Sequence, residues 1–279
     1  MTLSLISTLD YRYADLADIL NRSFAGYLVD VNVNPGGLAQ LIRYEGTDLT
    51  ASRLIRRDAD LIGCALIGRR GWTCRLAAMG IIPEARGQGV GRWVMNQLIA
   101  EARNRTEQTM VLEVIEQNMA AVRLYQQVDF QIQRRLIGYK ATSPEGQRDN
   151  QLREVDLREV AWALTSYGLP DLPWQLAGST LIETGPPNRG YQLGPAYAAI
   201  SDPAKAQISV RGVIVHPDYE REAWGIRLLQ ALFAEHPDRE WRVPIIFPEE
   251  MVEGLFESVG SEREPLTQYQ MSRDLTQAT

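Results

Sequence analysis

The sequence is poor in the residue types that most often build metal sites, disulfides and nucleophilic catalysts. Among its 279 residues there are only two cysteines and two histidines. Cys64 and Cys74 are too few for a disulfide framework or a cysteine-rich zinc site. A cysteine nucleophile would also want a histidine partner, and the first half has none. We therefore expect no metal, small buried thiols, His216 and His236 at surface turns, and a reducing, cytoplasmic location.

Long apolar runs are also missing, and so is a large positive charge. No stretch approaches the roughly 18 apolar residues that a membrane span needs, and the segment Met1–Asp10 lacks the pattern of a secretory signal. The chain has 29 basic and 35 acidic residues, a net charge of −6, which argues against a general nucleic-acid binder. Because only Lys140 and Lys205 are lysines, the positive charge is almost all arginine. The basic strands are expected to be solvated at Arg53, Arg56, Arg57, Arg69, Arg70 and Arg75.

The chain divides into two similar halves, each predicted to be a mixed α/β domain. The apolar pattern of the first half predicts the order β-α-α-β-β-β-α-β-α-β. The polar segment 143–151 is typical of a linker, so the expected domains are residues 1–142 and 152–279. Within the second half, Trp174–Glu183 is predicted as a strand and Glu249–Val259 as a helix.

An internal repeat supports this division. Pro83 and Pro217 each follow an apolar strand, and a glycine comes eight residues after each of them, at Gly91 and Gly225. Both glycines start amphipathic helices, and Leu124-Tyr125 recurs later as Leu255-Phe256. Matched spacing over separate elements indicates two copies of one fold.

The segment with the clearest chemistry is Arg86-Gly87-Gln88-Gly89-Val90-Gly91-Arg92, between a predicted strand and helix. Glycines let the backbone approach a ligand, and the N–H groups at a helix start bind anions. A Walker loop is excluded because Arg92-Trp93 stands where Lys-Ser/Thr is needed, and the glycine spacing differs from a Rossmann loop. The alternative is a tight turn that merely tolerates glycine.

Arg86-x-x-Gly89-x-Gly91 after a strand ending at Pro83 resembles the acetyl-CoA loop of the GNAT superfamily of N-acetyltransferases. The tract from Leu112 to Phe130 is most similar to acetyltransferases that act on protein N-terminal amines. Asp129 departs from the family, which usually has glycine there. The resemblance covers residues 3–142 well and the second half weakly. It implies two tandem GNAT-like acyl-CoA N-acyltransferase domains.

The resemblance also implies roles for individual residues. The backbone from Gly87 to Arg92 would bind the CoA pyrophosphate, the strand at Gly80–Ile82 would pair with the pantetheine arm, and Asn118 would hold its end. Tyr125 would act as general acid and Glu113 as general base, through water. The complete set implied for acetyl-CoA is Gly80, Ile81, Ile82, Arg86, Gly87, Gln88, Gly89, Val90, Gly91, Arg92, Asn118, Ala121 and Tyr125.

The acceptor would be an amine that attacks the thioester directly in a ternary complex. Tyr27, Asp30 and Tyr139 are the candidate acceptor contacts. An α-amine with a pKa near 8 is roughly one tenth neutral at pH 7, so one positioned base suffices to activate it. A protein N-terminus and a small amine both remain open, as do a monomer and a homodimer. The alternative function is a non-catalytic acyl-CoA sensor or scaffold.

The second copy has lost the residues of this chemistry. Aligned on the paired glycines, Glu220, Arg221, Glu222 and Ala223 replace Arg86 to Gly89. With Leu124-Tyr125 aligned on Leu255-Phe256, Phe256 stands for Tyr125, Pro244 for Glu113 and Glu249 for Asn118. We expect a non-catalytic domain that helps to shape the acceptor cleft.

Overall fold

A computed structural model describes residues 2–277, which form two compact units. The first unit runs to Gln133 and also includes the chain from Tyr269 onward, while the second unit is Arg134–Gln268. Each unit is a mixed α/β structure. Within residues 2–277, no helix is both long enough and apolar enough to cross a membrane.

Among its described residues, the first unit has six strands and four helices. Its strands are β1 Leu3–Ser7, β2 Arg53–Arg57, β3 Asp60–Arg70, β4 Thr73–Ile81, β5 Thr109–Ile115 and, from the end of the chain, β13 Gln268–Asp274. Its helices are α1 Tyr13–Ser23, α2 Pro35–Glu45, α3 Val90–Asn104 and α4 Met119–Gln126. The strand order is β1-β2-β3-β4-β5-β13.

Two apolar clusters hold these helices to the sheet of the first unit. Helix α1 buries Leu16, Ala17, Ile19 and Leu20, a spacing that places all four on one helix face. They pack with Leu54 and Cys64 of β2 and β3. Helix α3 buries its own stripe in a separate cluster with β4 and β5. The two helices thereby fix the strand ends that carry the candidate site.

The second unit repeats this plan. Its strands are β6 Gln131–Thr142, β7 Arg153–Val155, β8 Arg189–Leu193, β9 Ala196–Ile200, β10 Gln207–Val215, β11 Glu240–Pro248 and β12 Glu262–Arg263. Its helices are α5 Leu157–Tyr167, α6 Gly178–Leu181, α7 Arg221–Glu235 and α8 Glu249–Val252. The strand order is β6-β11-β10-β9-β8-β7, with β12 paired to β6.

Two secondary-structure expectations in the second half are wrong. Trp174–Glu183 contains the short helix α6 rather than a strand, since the Thr180 hydroxyl and several backbone groups close local turns there. The expected helix Glu249–Val259 is interrupted after Val252, where Gly254 adopts a φ of +80°. A left-handed residue cannot continue an α-helix.

The last strand of each predicted half lies in the other unit. Strand β6 falls within the predicted domain 1–142, but its residues from Leu136 to Thr142 pair with β11. Conversely, β13 neighbours β5 and buries Met271 in the cluster of the first unit. The units in space therefore differ from the predicted boundary at both final strands. A linear sequence pattern identifies a strand without identifying its partner.

Candidate active site

The candidate site of the first unit lies where two parallel strands separate. β4 and β5 are paired from Thr73–Thr109 to Leu76–Leu112. β4 then continues to Ile81 and β5 to Ile115 outside this register. Their carboxyl-terminal ends therefore leave backbone hydrogen-bonding groups facing a gap, which an extended amide chain can occupy as an added strand.

Ile81 presents its backbone to this gap. The Ile82 N–H donates to the Ile62 carbonyl at 2.9 Å, so in the antiparallel β3–β4 ladder the polar groups of Ile81 point away from β3. Gly80 allows the end of α1 to approach, because a Cβ there would lie 2.6 Å from the Ser23 Cβ and 2.8 Å from the Phe24 ring. Glycine at this position thus shapes one wall of the site.

The glycine loop opens directly onto the start of α3. Gly87 and Gly89 have φ values of +71° and +77°, and a Cβ on either would meet nothing within 4 Å. Gly89 is the N-cap and supplies no side-chain hydrogen bond. The first N–H groups of α3, at Val90 and beyond, therefore face an open surface at the positive end of the helix dipole. An anionic diphosphate fits this arrangement.

Arg86 holds the loop in place. Its Nε donates to the Ile81 carbonyl at 2.8 Å, and its Nη2 donates to the carbonyls of Ser23 at 3.1 Å and Ala25 at 2.9 Å. These bonds tie the loop to the end of β4 and to the end of α1. Gln88 similarly donates to the Glu84 carbonyl at 2.9 Å, while Arg92 is exposed on the first turn of α3.

Three predicted residues from different sequence segments meet in the structure. Asn118 caps α4, its Oδ1 accepting from the Ala121 N–H at 3.2 Å, and its side chain also hydrogen-bonds to Tyr27. Burial raises the pKa of Tyr27, and the Asn118 bond partly offsets this. Burial, helped by the nearby Tyr27, also raises the pKa of Tyr125. Tyr125 therefore keeps its proton and can donate a hydrogen bond.

Glu113 occupies an environment that the sequence did not predict. Its carboxylate lies 2.7 Å from the Arg75 Nε, and both side chains are only 4% exposed. Arg75 also pairs with Glu45 at the end of α2. Burial lowers the pKa of Arg75, but the two carboxylates outweigh it and the net shift is upward. Glu113 is thus part of a buried three-residue charge cluster.

The expectation of a solvated Arg75 is wrong. Sequence alternation places Arg75 on an exposed strand face, yet α2 covers that face and supplies Glu45. The sequence contains only a weak signal of this burial. Arg75 precedes an apolar run in β4, and the neighbouring strand β5 carries one glutamate, Glu113. A buried arginine persists only when paired, so Arg75, Glu45 and Glu113 form one structural unit.

The remaining acceptor candidates divide between the two units. Asp30 is exposed on the loop between α1 and α2, which the Asn21 side chain clamps through two hydrogen bonds to the backbone of Val33. Tyr139 lies in the core of the second unit and is fully buried. Its hydroxyl donates to Glu257 at 2.7 Å. With no exposed surface and its hydroxyl bound to Glu257, Tyr139 serves the packing of the second unit.

The thiols do not belong to the chemistry. Cys64 and Cys74 are both buried, and burial raises the pKa of Cys64 to about 12 and that of Cys74 as well. A thiol with so high a pKa is a poor nucleophile at neutral pH. Among residues 2–277, no group of three or more His, Cys, Asp or Glu side chains could hold a metal ion.

The second unit keeps the packing behind the helix start but lacks the open glycine loop in front of it. A Cβ on Gly91 would lie 3.0 Å from Leu124, and one on Gly225 would lie 2.8 Å from Leu255. The repeat therefore extends to the same glycine–leucine contact in both units. At the start of α7, however, the N-cap is Glu220, with an extended backbone in place of a left-handed glycine.

Residues 14–130 match the Acetyltransferase (GNAT) family. This match covers the glycine loop, the separated strand ends and α4. The chain has the fold of a tandem GNAT protein, as shown by solved structures that match over nearly all of it. A comparison with curated proteins finds no significant match.

Three of these solved structures illustrate the likeness of fold. A GCN5-related N-acetyltransferase from Sphaerobacter thermophilus has a TM-score of 0.69 at 13% identity, over 98% of this chain and 96% of its own. A tandem GNAT protein from the clavulanic acid biosynthesis pathway, solved without acetyl-CoA, has a TM-score of 0.67 at 13% identity, over 100% and 99%. A GCN5-related N-acetyltransferase from Kribbella flavida has a TM-score of 0.60 at 16% identity, over 98% and 71%.

Proposed function

We propose that the first unit transfers an acetyl group from acetyl-CoA to an amine. The observation that carries this proposal is the unpaired end of β4 and β5 beside a left-handed glycine pair at the start of α3. Such a site offers a strand edge for an amide-bearing arm and open N–H groups for a diphosphate. The GNAT match over residues 14–130 supports the same chemistry.

Acetyl-CoA supplies an activated thioester. The residues of the chain therefore need only bind and orient the two substrates and transfer protons. The N–H groups from Gly87 to Arg92 bind the diphosphate, and Gly80–Ile82 align the pantetheine arm. The Ile81 N–H faces the gap and polarises the thioester carbonyl. Asn118 and Ala121, at the start of α4, position the far end of the arm.

Tyr125 serves as general acid in this proposal. Its raised pKa keeps the phenol protonated throughout the physiological range, and its proximity to Tyr27, which is hydrogen-bonded to Asn118, supports this role. Protonation of the departing thiolate by a positioned acid is worth about 10²–10⁴-fold in rate. The second unit has Phe256 at the equivalent position, which cannot perform this step.

The acceptor amine approaches from the loop between α1 and α2, where Tyr27 and Asp30 lie. The similarity of the Leu112–Phe130 tract to acetyltransferases of protein N-termini favours an α-amine. Glu113 remains the proposed base, acting through water and held in its orientation by Arg75. An α-amine needs little assistance, since about a tenth is neutral at pH 7.

One observation favours the alternative of an acyl-CoA-binding sensor without turnover. The Glu113 carboxylate is engaged by Arg75 in a buried ion pair, so Arg75 already occupies the group that would have to accept the proton of the amine. Both functions require the same acetyl-CoA site. They differ in whether an amine consumes the bound thioester.

The binding test is a calorimetric titration of acetyl-CoA with the full chain. We expect one saturable site, and a loss of roughly 100-fold in affinity in Gly89→Glu, because that change strains a left-handed residue and places a carboxylate in the anion cradle. Gly260→Glu is the matched control, since Gly260 has a φ of +78° and is equally open. Absence of binding to the unmodified chain would refute the proposal.

Turnover is tested by following release of the free thiol with N-terminal peptides and small amines as acceptors. Under the transferase proposal, Glu113→Gln lowers kcat and shifts the pH–rate profile while leaving acetyl-CoA affinity unchanged. If the pH profile does not move and only thermal stability falls, Glu113 is structural. Binding with no thiol release for any amine would support the sensor instead.

A further inference from the structure

The second unit contains a cavity at the place where the first unit has its candidate site. It has a volume of about 380 Å³ and lies beside the end of β10 and the end of α5. Its lining includes Tyr167, Leu169, Ile214, His216, Tyr219 and Met251. Cavities that bind small molecules usually measure roughly 300–1,000 Å³, so this one has the size of a ligand site.

The backbone around the cavity is open in the same way as in the first unit. β10 and β11 are paired only from Gln207–Glu240 to Ser209–Arg242, although β10 continues to Val215. The His216 N–H donates to the Pro195 carbonyl at 2.9 Å, which turns the polar groups of Val215 away from β9. The cavity thus has strand hydrogen-bonding groups along one edge.

The features that suit a diphosphate are missing here. Two exposed carboxylates, Glu220 and Glu222, flank Arg221 at the start of α7. The N-cap backbone at Glu220 is extended, with a φ of −67°, so side chains stand where the first unit has bare N–H groups. Repulsion and steric obstruction both act against a polyanion such as CoA.

The walls of the cavity favour an apolar, flat ligand. Tyr167 and His216 lie with ring centroids 4.4 Å apart at 61°, and His216 and Tyr219 lie 5.7 Å apart at 83°. These edge-to-face contacts hold Tyr167 and Tyr219 against His216, and Leu169 and Met251 supply aliphatic surface. Rings and aliphatic groups of a ligand gain contact area against such walls with little loss of side-chain entropy.

One permanently charged side chain lines the cavity, and it is positive. The Arg221 Nη1 donates to the Glu250 carbonyl at 2.8 Å, which anchors the guanidinium while using one of its five N–H donors. The His216 Nδ1 accepts from the Asp218 N–H at 3.3 Å and lies 3.9 Å from the Asp218 carboxylate, which leaves Nε2 as the ring nitrogen for a ligand. A guanidinium beside an imidazole N–H suits a single carboxylate.

We infer that this cavity binds a compact apolar monocarboxylate, with an aromatic or branched body against the rings and its carboxylate on Arg221. The site is distinct from the proposed acetyl-CoA site and does not depend on the proposed acetyl transfer. A single negative charge is accommodated by Arg221, whereas the several charges of CoA meet Glu220 and Glu222.

The test uses the full chain with the fluorescent probe 1-anilinonaphthalene-8-sulfonate, which combines aromatic rings with one anionic group. Three competitors share one ring and differ in charge: phenylacetate, phenylacetamide and phenethylamine. Leu169→Trp fills the cavity from a loop position, and Arg221→Gln removes the cation. Arg148→Gln is the charge-matched control, because Arg148 is exposed elsewhere in the second unit. Excitation at wavelengths longer than the tryptophan absorption band prevents the new tryptophan of Leu169→Trp from contributing to the fluorescence.

We expect the probe to bind, and phenylacetate to displace it at concentrations at least about tenfold below those of the other two competitors. Arg221→Gln should remove this preference, Leu169→Trp should abolish the displaceable signal, and Arg148→Gln should change neither. Equal displacement by all three competitors, or a preference for phenethylamine, would overturn the assignment. Displacement by acetyl-CoA that is lost in Arg221→Gln would show that the second unit retained a cofactor site instead.

Discussion

The two central helices, α3 and α7, begin in opposite ways on the same framework. α3 follows two left-handed glycines whose surroundings are open, whereas α7 follows Glu220 in extended backbone. Behind both starts, a glycine packs closely on a leucine, Gly91 on Leu124 and Gly225 on Leu255. Packing positions are thus retained where the open left-handed glycines are absent, so the fold does not depend on the glycine loop.

The largest expected effect concerns the buried tyrosines of the two units. Tyr125→Phe, which copies the Phe256 of the second unit, should lower kcat by roughly 100-fold through loss of the acid, with acetyl-CoA affinity within about threefold. Steady-state kinetics and calorimetry measure the two quantities. Tyr139→Phe is the control: it removes the bond to Glu257 and should lower only the thermal stability. Equal rates for wild type and Tyr125→Phe would remove Tyr125 from the mechanism.

The next comparison concerns equivalent positions near the strand ends, Gly80 in β4 and Ile214 in β10. Gly80→Ala should destabilise the protein by about 1–3 kcal/mol, because the new methyl group meets Ser23 and Phe24 at under 3 Å. Ile214→Ala should destabilise it by about 2–5 kcal/mol for the opposite reason, since it removes apolar contacts and enlarges the cavity that Ile214 lines. Denaturant unfolding measures both. A Gly80→Ala variant as stable as the wild type would mean that α1 can shift away from β4.

The glycine–leucine contacts should respond alike in the two units. Gly91→Ala and Gly225→Ala each bring a methyl group to about 3 Å from the flexible end of a leucine. Alanine also favours the helix by about 1 kcal/mol, so the net changes should lie within roughly 1 kcal/mol of zero. A large loss in only one variant, measured by urea unfolding, would show that the two contacts are not equivalent.

The smallest effect is a pH dependence in the second unit. Burial lowers the pKa of His236 below its usual value of 6.5, and its Nε2 lies 2.9 Å from the Tyr191 hydroxyl. The unfolded chain therefore takes up the proton at a higher pH than the folded protein does, so stability falls as pH drops below about 6.5. The Tm of His236→Gln should fall less over this range. A parallel decline in both proteins would assign the effect to other groups.

The sequence predicted the architecture and the glycine loop before α3, where the backbone does adopt positive φ, but not the surroundings of Glu113. The tandem α/β plan follows from apolar periodicity and repeated spacing, which are local properties. The pairing of Glu113 with Arg75 and Glu45 joins β5, β4 and α2, so no single segment of sequence records it. The same reason explains why the sequence favours Tyr139 as a site residue, because its burial depends on which unit its strand joins.

At Asp129 the sequence indicates an unusual backbone position, and the structure adds the side chain that contacts it. The sequence marks it as a departure from glycine at the end of α4, and it does adopt a left-handed φ of +61°. The Arg273 Nη2 lies 3.3 Å from its carboxylate. That contact comes from β13, at the other end of the sequence, and gives the strained residue a partner.

Local sequence was enough to predict which segments are helices and strands in the first unit, where glycines free the backbone, and that the second copy has Phe256 in place of Tyr125. These features depend on side-chain periodicity and on backbone freedom, and both are determined by residues close together in the chain. Tertiary structure decided which unit each final strand joins, which charges are buried together and where the second unit keeps a cavity. Those outcomes depend on strand pairing and desolvation between residues far apart in the chain, and a linear pattern carries no information about either.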